Sequence, residues 1–210
     1  GVYVRALGPR LDKMTAAGYE LEAAVLNAAE YGVPQLRRRV LYCGWRQGEG
    51  RFRLPPPTHN EESYLSVADA IGDLPSPPAD RTPHPGDELH RRTWLSPLNQ
   101  KRIETIPPGG GMEDLPVELR ADCHKNGADH IGHRYVYGRL APDKPASTIT
   151  ARFDSFTRGR FGHPNEPRNI TLREGARLQS FPDVFRFKGT QEEIAALIGN
   201  AVPPLLADDL

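Results

Sequence analysis

Backbone breakers set the first constraint on this chain. It carries 20 glycines and 21 prolines in 210 residues, about a fifth of the whole. They cluster between about Pro55 and Pro145, in stretches such as "LPPPTHN", "LPSPPAD" and "IPPGGGMEDLP". Proline deletes a backbone donor and fixes φ, and glycine loses the most entropy on ordering, so no long helix or central strand runs through such stretches. The middle of the chain is therefore expected to be a small irregular module with little core of its own. Its one clear helix is "SYLSVADAIGDL", 63 to 74, with Leu65, Ala68, Ile71 and Gly72 on one side.

Regular patterning returns at both ends. "PRLDKMTAA", 9 to 17, reads as a helix opened by Pro9 and stopped by Gly18. "YELEAAVL", 19 to 26, and "RRVLYCGW", 38 to 45, read as strands, with Leu41, Tyr42 and Cys43 buried. This looks like the tail of an α/β sheet and is too small to be a fold; its open face and edge would favour self-association. "ASTITARF", after Pro145, reads as a strand. "TLREGARLQSF", 171 to 181, reads as a helix with Thr171 as N-cap and Glu174 completing a capping box. Leu172, Ala176 and Leu178 give it an apolar face, Arg173 and Arg177 would brace loops, and Phe181 would plug a core. The last stretch, 190 to 210, reads as a helix, a break at Gly199-Asn200, and a second helix with Pro203 and Pro204 in its first turn.

Formal net charge is zero but unevenly spread. Tyr31 to Arg53 holds six arginines and one acid, Glu49; His59 to His90 holds seven acids and one basic residue, Arg81; Ala151 to Lys188 holds eight basic residues and four acids. Local potential, and not the sum, governs nucleic-acid binding. The sharpest feature is "YGVPQLRRRV", 31 to 40, three consecutive arginines where a strand begins. Unpaired guanidinium groups are costly to bury. They either pair with internal acids or await an anion from outside. Alternation along an extended segment places Gln35, Arg37 and Arg39 on one face, a donor-rich surface suited to phosphate or a base edge. Thr148 and Thr150 share a strand face and offer hydroxyls to phosphates, though threonine is also simply a strand former. "GNAVPP", 199 to 204, puts Asn200 before a helix start, which suits a polar ligand or marks a plain helix break.

Other chemistry is weaker. Cys43 reads as an inert thiol in an apolar strand, and no base is placed beside Cys123 to make it a nucleophile. Cys123, His124, His130 and His133 match no familiar zinc spacing, so no metal is expected. Two cysteines make no disulfide framework, no apolar run approaches a membrane span, and Gly1 opens no signal peptide; a cytoplasmic location is expected.

Taken in order, four segments resemble the C-terminal half of a DNA (cytosine-5)-methyltransferase. "NAAEYGVPQLRRRVLYCGWR" is similar to that family's Gln-x-Arg-x-Arg block, and "RLAPDKPASTITARF" to the end of its target-recognition region. "RNITLREGARLQSFPD" and "GNAVPPLLADDL" are similar to its closing blocks. The resemblance implies an α/β fold. It would comprise an incomplete doubly wound, Rossmann-like methyltransferase domain plus a small irregular target-recognition domain. Residues 1 to 55 would belong to the catalytic domain, 56 to 184 to target recognition and hinge, and 185 to 210 to a helix returning to the catalytic domain.

The implied reaction is methyl transfer from S-adenosylmethionine to C5 of a cytosine flipped out of duplex DNA, in the setting of restriction–modification. A cysteine thiolate adds to C6, a glutamate helps protonate N3, and C5 takes the methyl group. The resemblance assigns Arg39 to the base O2, Arg37 to a flanking phosphate, Gln35 to support of that loop, Thr148 and Thr150 to phosphates, and Asn200 with Ala201 to the cofactor. Neither Cys43 nor Cys123 follows a proline, and the family's Gly-rich cofactor loop, Pro-Cys loop and Glu-Asn-Val block are not in this sequence. The expectation is a truncated product or one subunit of a split enzyme, inactive alone, with double-stranded DNA and a second chain as partners. A non-enzymatic DNA-binding module is the alternative.

Overall fold

The computed structural model describes residues 11–122 and 136–210. A short helix over 11–16 leads through Gly18, whose φ of 85° only glycine adopts cheaply, into β1, Tyr19–Asn27. β1 pairs antiparallel with β2, Arg38–Arg46, in a register running from Tyr19↔Arg46 to Asn27↔Arg38. A 3₁₀ turn at Ala28–Tyr31 ends on Gly32 and connects them. Both strands match the sequence expectation, but Leu41, Tyr42 and Cys43 are half-buried, not buried. A two-stranded sheet has only one covered face. Leu26, Ala28, Tyr31, Val33 and Leu206 form the small core on that side, while the cross-strand pair Val25 and Val40 stays exposed on the other.

The irregular middle is better packed than its composition predicts. α1, Val67–Ile71, is capped by Ser66, whose hydroxyl accepts from Asp69 N–H while Asp69 accepts from Ser66 N–H. Its buried face is Val67 and Ile71; Leu65 precedes the helix, and Leu65, Ala68 and Gly72 are exposed, so the expected side is not the buried one. α2, Pro97–Thr105, begins with Ser96 as N-cap and Pro97 at the first position. It supports a separate core of Ile103, Ile106, Leu115, Leu119 and Phe156. β3, Gly138–Arg139, runs parallel to β4, Arg160–Gly162. Among the described residues the strands thus form two two-stranded sheets, and no doubly wound sheet.

The expected strand at 146–153 is absent. Ala146 makes one bridge to Gln35, and beyond it the backbone of Ile149 is satisfied by side chains instead of a neighbouring strand. α3, Leu172–Leu178, has the expected capping box of Thr171 and Glu174. α4, Gln191–Asn200, has a second box from Thr190 and Glu193, and α5, Pro204–Asp209, starts at Pro204. The chain breaks at Ala201–Pro203, two residues later than predicted. The main core joins α1, α3 and α4 through Val67, Ile71, Ile149, Phe153, Leu178, Ile194 and Ile198. So α4 packs with the middle of the chain, and α5 reaches the hairpin through Leu206. Phe181 is half-buried at the rim of the main core, in an aromatic cluster with Phe185 and Phe187 at centroid distances of 5.0 Å each.

Candidate nucleic-acid interface

The arginine run sits where the loop after Gly32 enters β2. Ala28 N–H donates to Arg37 O (3.0 Å) and Arg37 N–H to Asn27 Oδ1 (3.2 Å), which closes the loop over buried Val33. Leu36 N–H donates to Ala146 O and Ala146 N–H to Pro34 O, so residues 34–36 run beside 146 in the parallel sense. This pairing decides which side chains enter the protein.

Gln35 is wholly buried. Its Oε1 accepts from Ile149 N–H (2.8 Å), and its Nε2 donates to Leu178 O and Gln179 Oε1. Gln179 Nε2 in turn donates to Ile198 O. Arg37 is 3% exposed. Its Nη1 donates to Ile149 O (2.8 Å), and its Nη2 to Gly199 O (2.9 Å) and Ala201 O (3.1 Å). Nε is buried without a partner. Burial, followed by the nearby Arg39 charge, lowers the Arg37 pKa to about 10, so the guanidinium stays charged at neutral pH. Its stabilisation comes from three carbonyl dipoles, two of them at the end of α4, and not from a carboxylate.

The expected single donor face of Gln35, Arg37 and Arg39 therefore does not form. Gln35 and Arg37 turn inward because 34–37 pairs with 146 before β2 begins. Arg38 and Arg39 are exposed, and Arg39 Nη1 donates only to Arg38 O. Neither makes an ion pair with a carboxylate among the described residues. Thr148, half-buried, donates its hydroxyl to Leu36 O (2.8 Å), which ties it to the arginine run; Thr150 is exposed. The surface here thus offers two uncompensated cations and one solvent-facing hydroxyl.

Asn200 is exposed and Ala201 half-exposed at the far side of the same junction. With Lys188, Glu193, Ala196 and Leu197 they line a hollow of about 870 Å³. Sequence reasoning missed the inward role of Arg37. The available signal was the last turn of α4, which contains no basic residue of its own to meet its carbonyl end. A second buried arginine, Arg139, was missed likewise. It donates to His163 O, Ile106 O and Pro164 O, and burial lowers its pKa. The residues Cys123, His124, His130 and His133 lie outside the described residues.

The fold carries the first comparison. The structure superposes on a crystal structure described as a DNA modification methyltransferase encoded within a prophage (E. coli), with a TM-score of 0.65 over 99% of this chain and 63% of that chain, at 22% identity. It also superposes on the Entamoeba histolytica methyltransferase EhMeth, with a TM-score of 0.52 over 95% of this chain and 54% of that chain, at 12% identity. At such identities the likeness is one of fold, that of α/β methyltransferases.

Sequence narrows this further. The family model of the C-5 cytosine-specific DNA methylases matches residues 5–210, and the chain belongs to that family. Type II methylase M.HgiDII of Herpetosiphon aurantiacus is 38% identical over 202 residues, 93% of this chain and 55% of its own length. Type II methyltransferase M.NgoFVII of Neisseria gonorrhoeae is 40% identical over 194 residues, 89% of this chain and 47% of its own length. The chain spans about half the length of the curated relatives it matches.

Proposed function

We propose that this chain supplies the target-recognition and cofactor-edge half of a DNA cytosine-5 methyltransferase. In this reading residues 1–55 belong to the catalytic domain, 56–184 read and hold DNA, and 185–210 return toward the catalytic domain. The supporting observation is the pair of exposed cations Arg38 and Arg39, with no carboxylate partner among the described residues, in a chain matched by the family model over residues 5–210.

Arg39 donates to O2 of the extruded cytosine and draws charge from the ring, which favours attack at C6. Arg38 and Thr150 hold phosphates around the gap, while Thr148, whose hydroxyl is spent on Leu36 O, ties that stretch to the arginine run. Gln35 and Arg37 fix the wall on which these residues stand. Asn200 and Ala201 hold S-adenosylmethionine, which supplies the electrophilic methyl group. The hollow beside them fits such a ligand in kind, since it combines apolar Ala196 and Leu197 with the opposite charges of Lys188 and Glu193. In this reading the thiolate that attacks C6 and the carboxyl that serves N3 come from a second polypeptide segment, since neither cysteine here follows a proline and no Glu-Asn-Val occurs in these residues.

The test is complementation. Mixing this chain with a polypeptide bearing the Pro-Cys and Glu-Asn-Val motifs should give methyl transfer to duplex DNA, and either part alone should give none. Transfer by this chain alone would overturn the assignment. Duplex binding with no transfer in the mixture would support the alternative, a DNA-binding module without chemistry.

A further inference from the structure

Resting on that reading, we infer that Arg37 is a positioning residue. It locks the stretch bearing Thr148 and Thr150 to the turn bearing Asn200 and Ala201, so that duplex engagement on one side stiffens the cofactor edge on the other.

The two ends of one guanidinium make the link. Nη1 holds Ile149 O, between the two threonines, and Nη2 holds Gly199 O and Ala201 O, on either side of Asn200. Because Nε has no partner, the whole hold lies in these two nitrogens, one per segment. The charge is stable there because α4 is ten residues long and points its negative end at it, with no basic residue in its own last turn. The segments also touch directly. A β-carbon on Gly199 would lie 2.2 Å from the carbonyl carbon and oxygen of Thr150, so only glycine lets the two backbones meet. A second line runs parallel to the first: Gln35 joins Ile149 N–H to Gln179, and Gln179 joins Ile198 O. Arg37 is thus the bridging charge of a closely packed junction, and a lysine, with a single nitrogen, cannot span both segments in the same way.

Amide hydrogen exchange on the intact chain tests this, with a mixed-sequence DNA duplex as ligand. In the unmodified chain the duplex should slow exchange at 148–151, and also at 199–202, by about fivefold or more. In Arg37→Lys the first effect should persist and the second fall below about twofold. Slowing at 148–151 without slowing at 199–202 in the unmodified chain overturns the coupling and leaves DNA binding standing. Slowing at neither place sinks the DNA reading, and the ligand-free chains then decide. Arg37→Lys and Arg37→Met should each speed exchange at both 149–151 and 199–202, by about tenfold, while sparing β1, β2 and α1. Uniform acceleration, or none, overturns the inference.

Discussion

The arginines around α3 and those at the start of β2 face different surroundings. Arg168 lies 5% exposed between Glu174, with both carboxylate oxygens at 2.7–2.8 Å, and Glu166 at 2.9 Å. Arg173 pairs with Asp87 and Asp183, and Arg177 with Asp73 and Asp183. At β2, Arg37 rests on three carbonyls and Arg38 and Arg39 stand in solvent. The difference explains the charge layout of the chain. The acidic stretch 59–90 lends Asp73 and Asp87 to Arg177 and Arg173 of the later basic block, while in the basic block at 31–53 Arg51 pairs with Glu22 and Arg38 and Arg39 make no ion pair among the described residues. A run of arginines is a binding signal only after its internal carboxylates have been found.

The largest expected break in this contrast is Arg168→Met. It leaves Glu174 charged and buried, and urea unfolding should show a loss of about 3–5 kcal/mol. Arg39→Met should change stability by less than about 0.5 kcal/mol. Similar losses for the two would erase the contrast. Next comes acid sensitivity. His163 Nδ1 accepts from Asn165 N–H and Glu166 N–H, and burial lowers its pKa to about 4. The unfolded chain binds this proton near pH 6.5, so stability should fall as pH drops from about 6.5 to 4, by at most about 3 kcal/mol. Glu174 and Asp183, held below the ordinary carboxylate range by their arginines, add a further loss below about pH 4.5. Thermal melts of His163→Asn that keep the full decline between pH 6.5 and 4 would contradict this.

Smaller effects concern DNA. Arg39→Glu should weaken duplex binding about tenfold at low salt and flatten its salt dependence, as measured by anisotropy. Arg177→Gln should shift the same affinity less than about twofold, because its charge is already spent on Asp73 and Asp183. Least of all, Thr150→Val should weaken binding about twofold and leave stability within about 0.5 kcal/mol. Should Arg177→Gln match Arg39→Glu, the solvent-facing block would lose its special status.

Local signals were legible in the sequence. The strands of the hairpin, the Thr171–Glu174 box and the proline-led final helix all follow from adjacent residues. So did the bracing of loops by Arg173 and Arg177. What stayed hidden depends on contacts distant along the chain. Nothing near Gln35 reveals that Ala146 will pair beside it and turn Arg37 inward. Nothing in "ASTITARF" shows that side chains will take the place of a strand neighbour at Ile149. The helix at Pro97–Thr105 has a local start signal in Ser96-Pro97, set among prolines that otherwise suggest only loops. Arg39 and Thr150 do lie exposed, but the exposed neighbour of Arg39 is Arg38 and not Arg37.

The middle of the chain is pinned to α3 at separate points: Asp73 on Arg177, Asp87 on Arg173, and His90 between Thr171 Oγ1 (2.9 Å) and Pro75 O (2.6 Å). Most side chains from Ser76 to Glu88 lie in solvent, away from the packed interior. Insertions there cost little more than the closure of a longer loop, about 0.6 kcal/mol per doubling of length. Contour can therefore diversify between fixed pegs while α3 keeps its seat, which gives selection a region to vary without refolding the remainder.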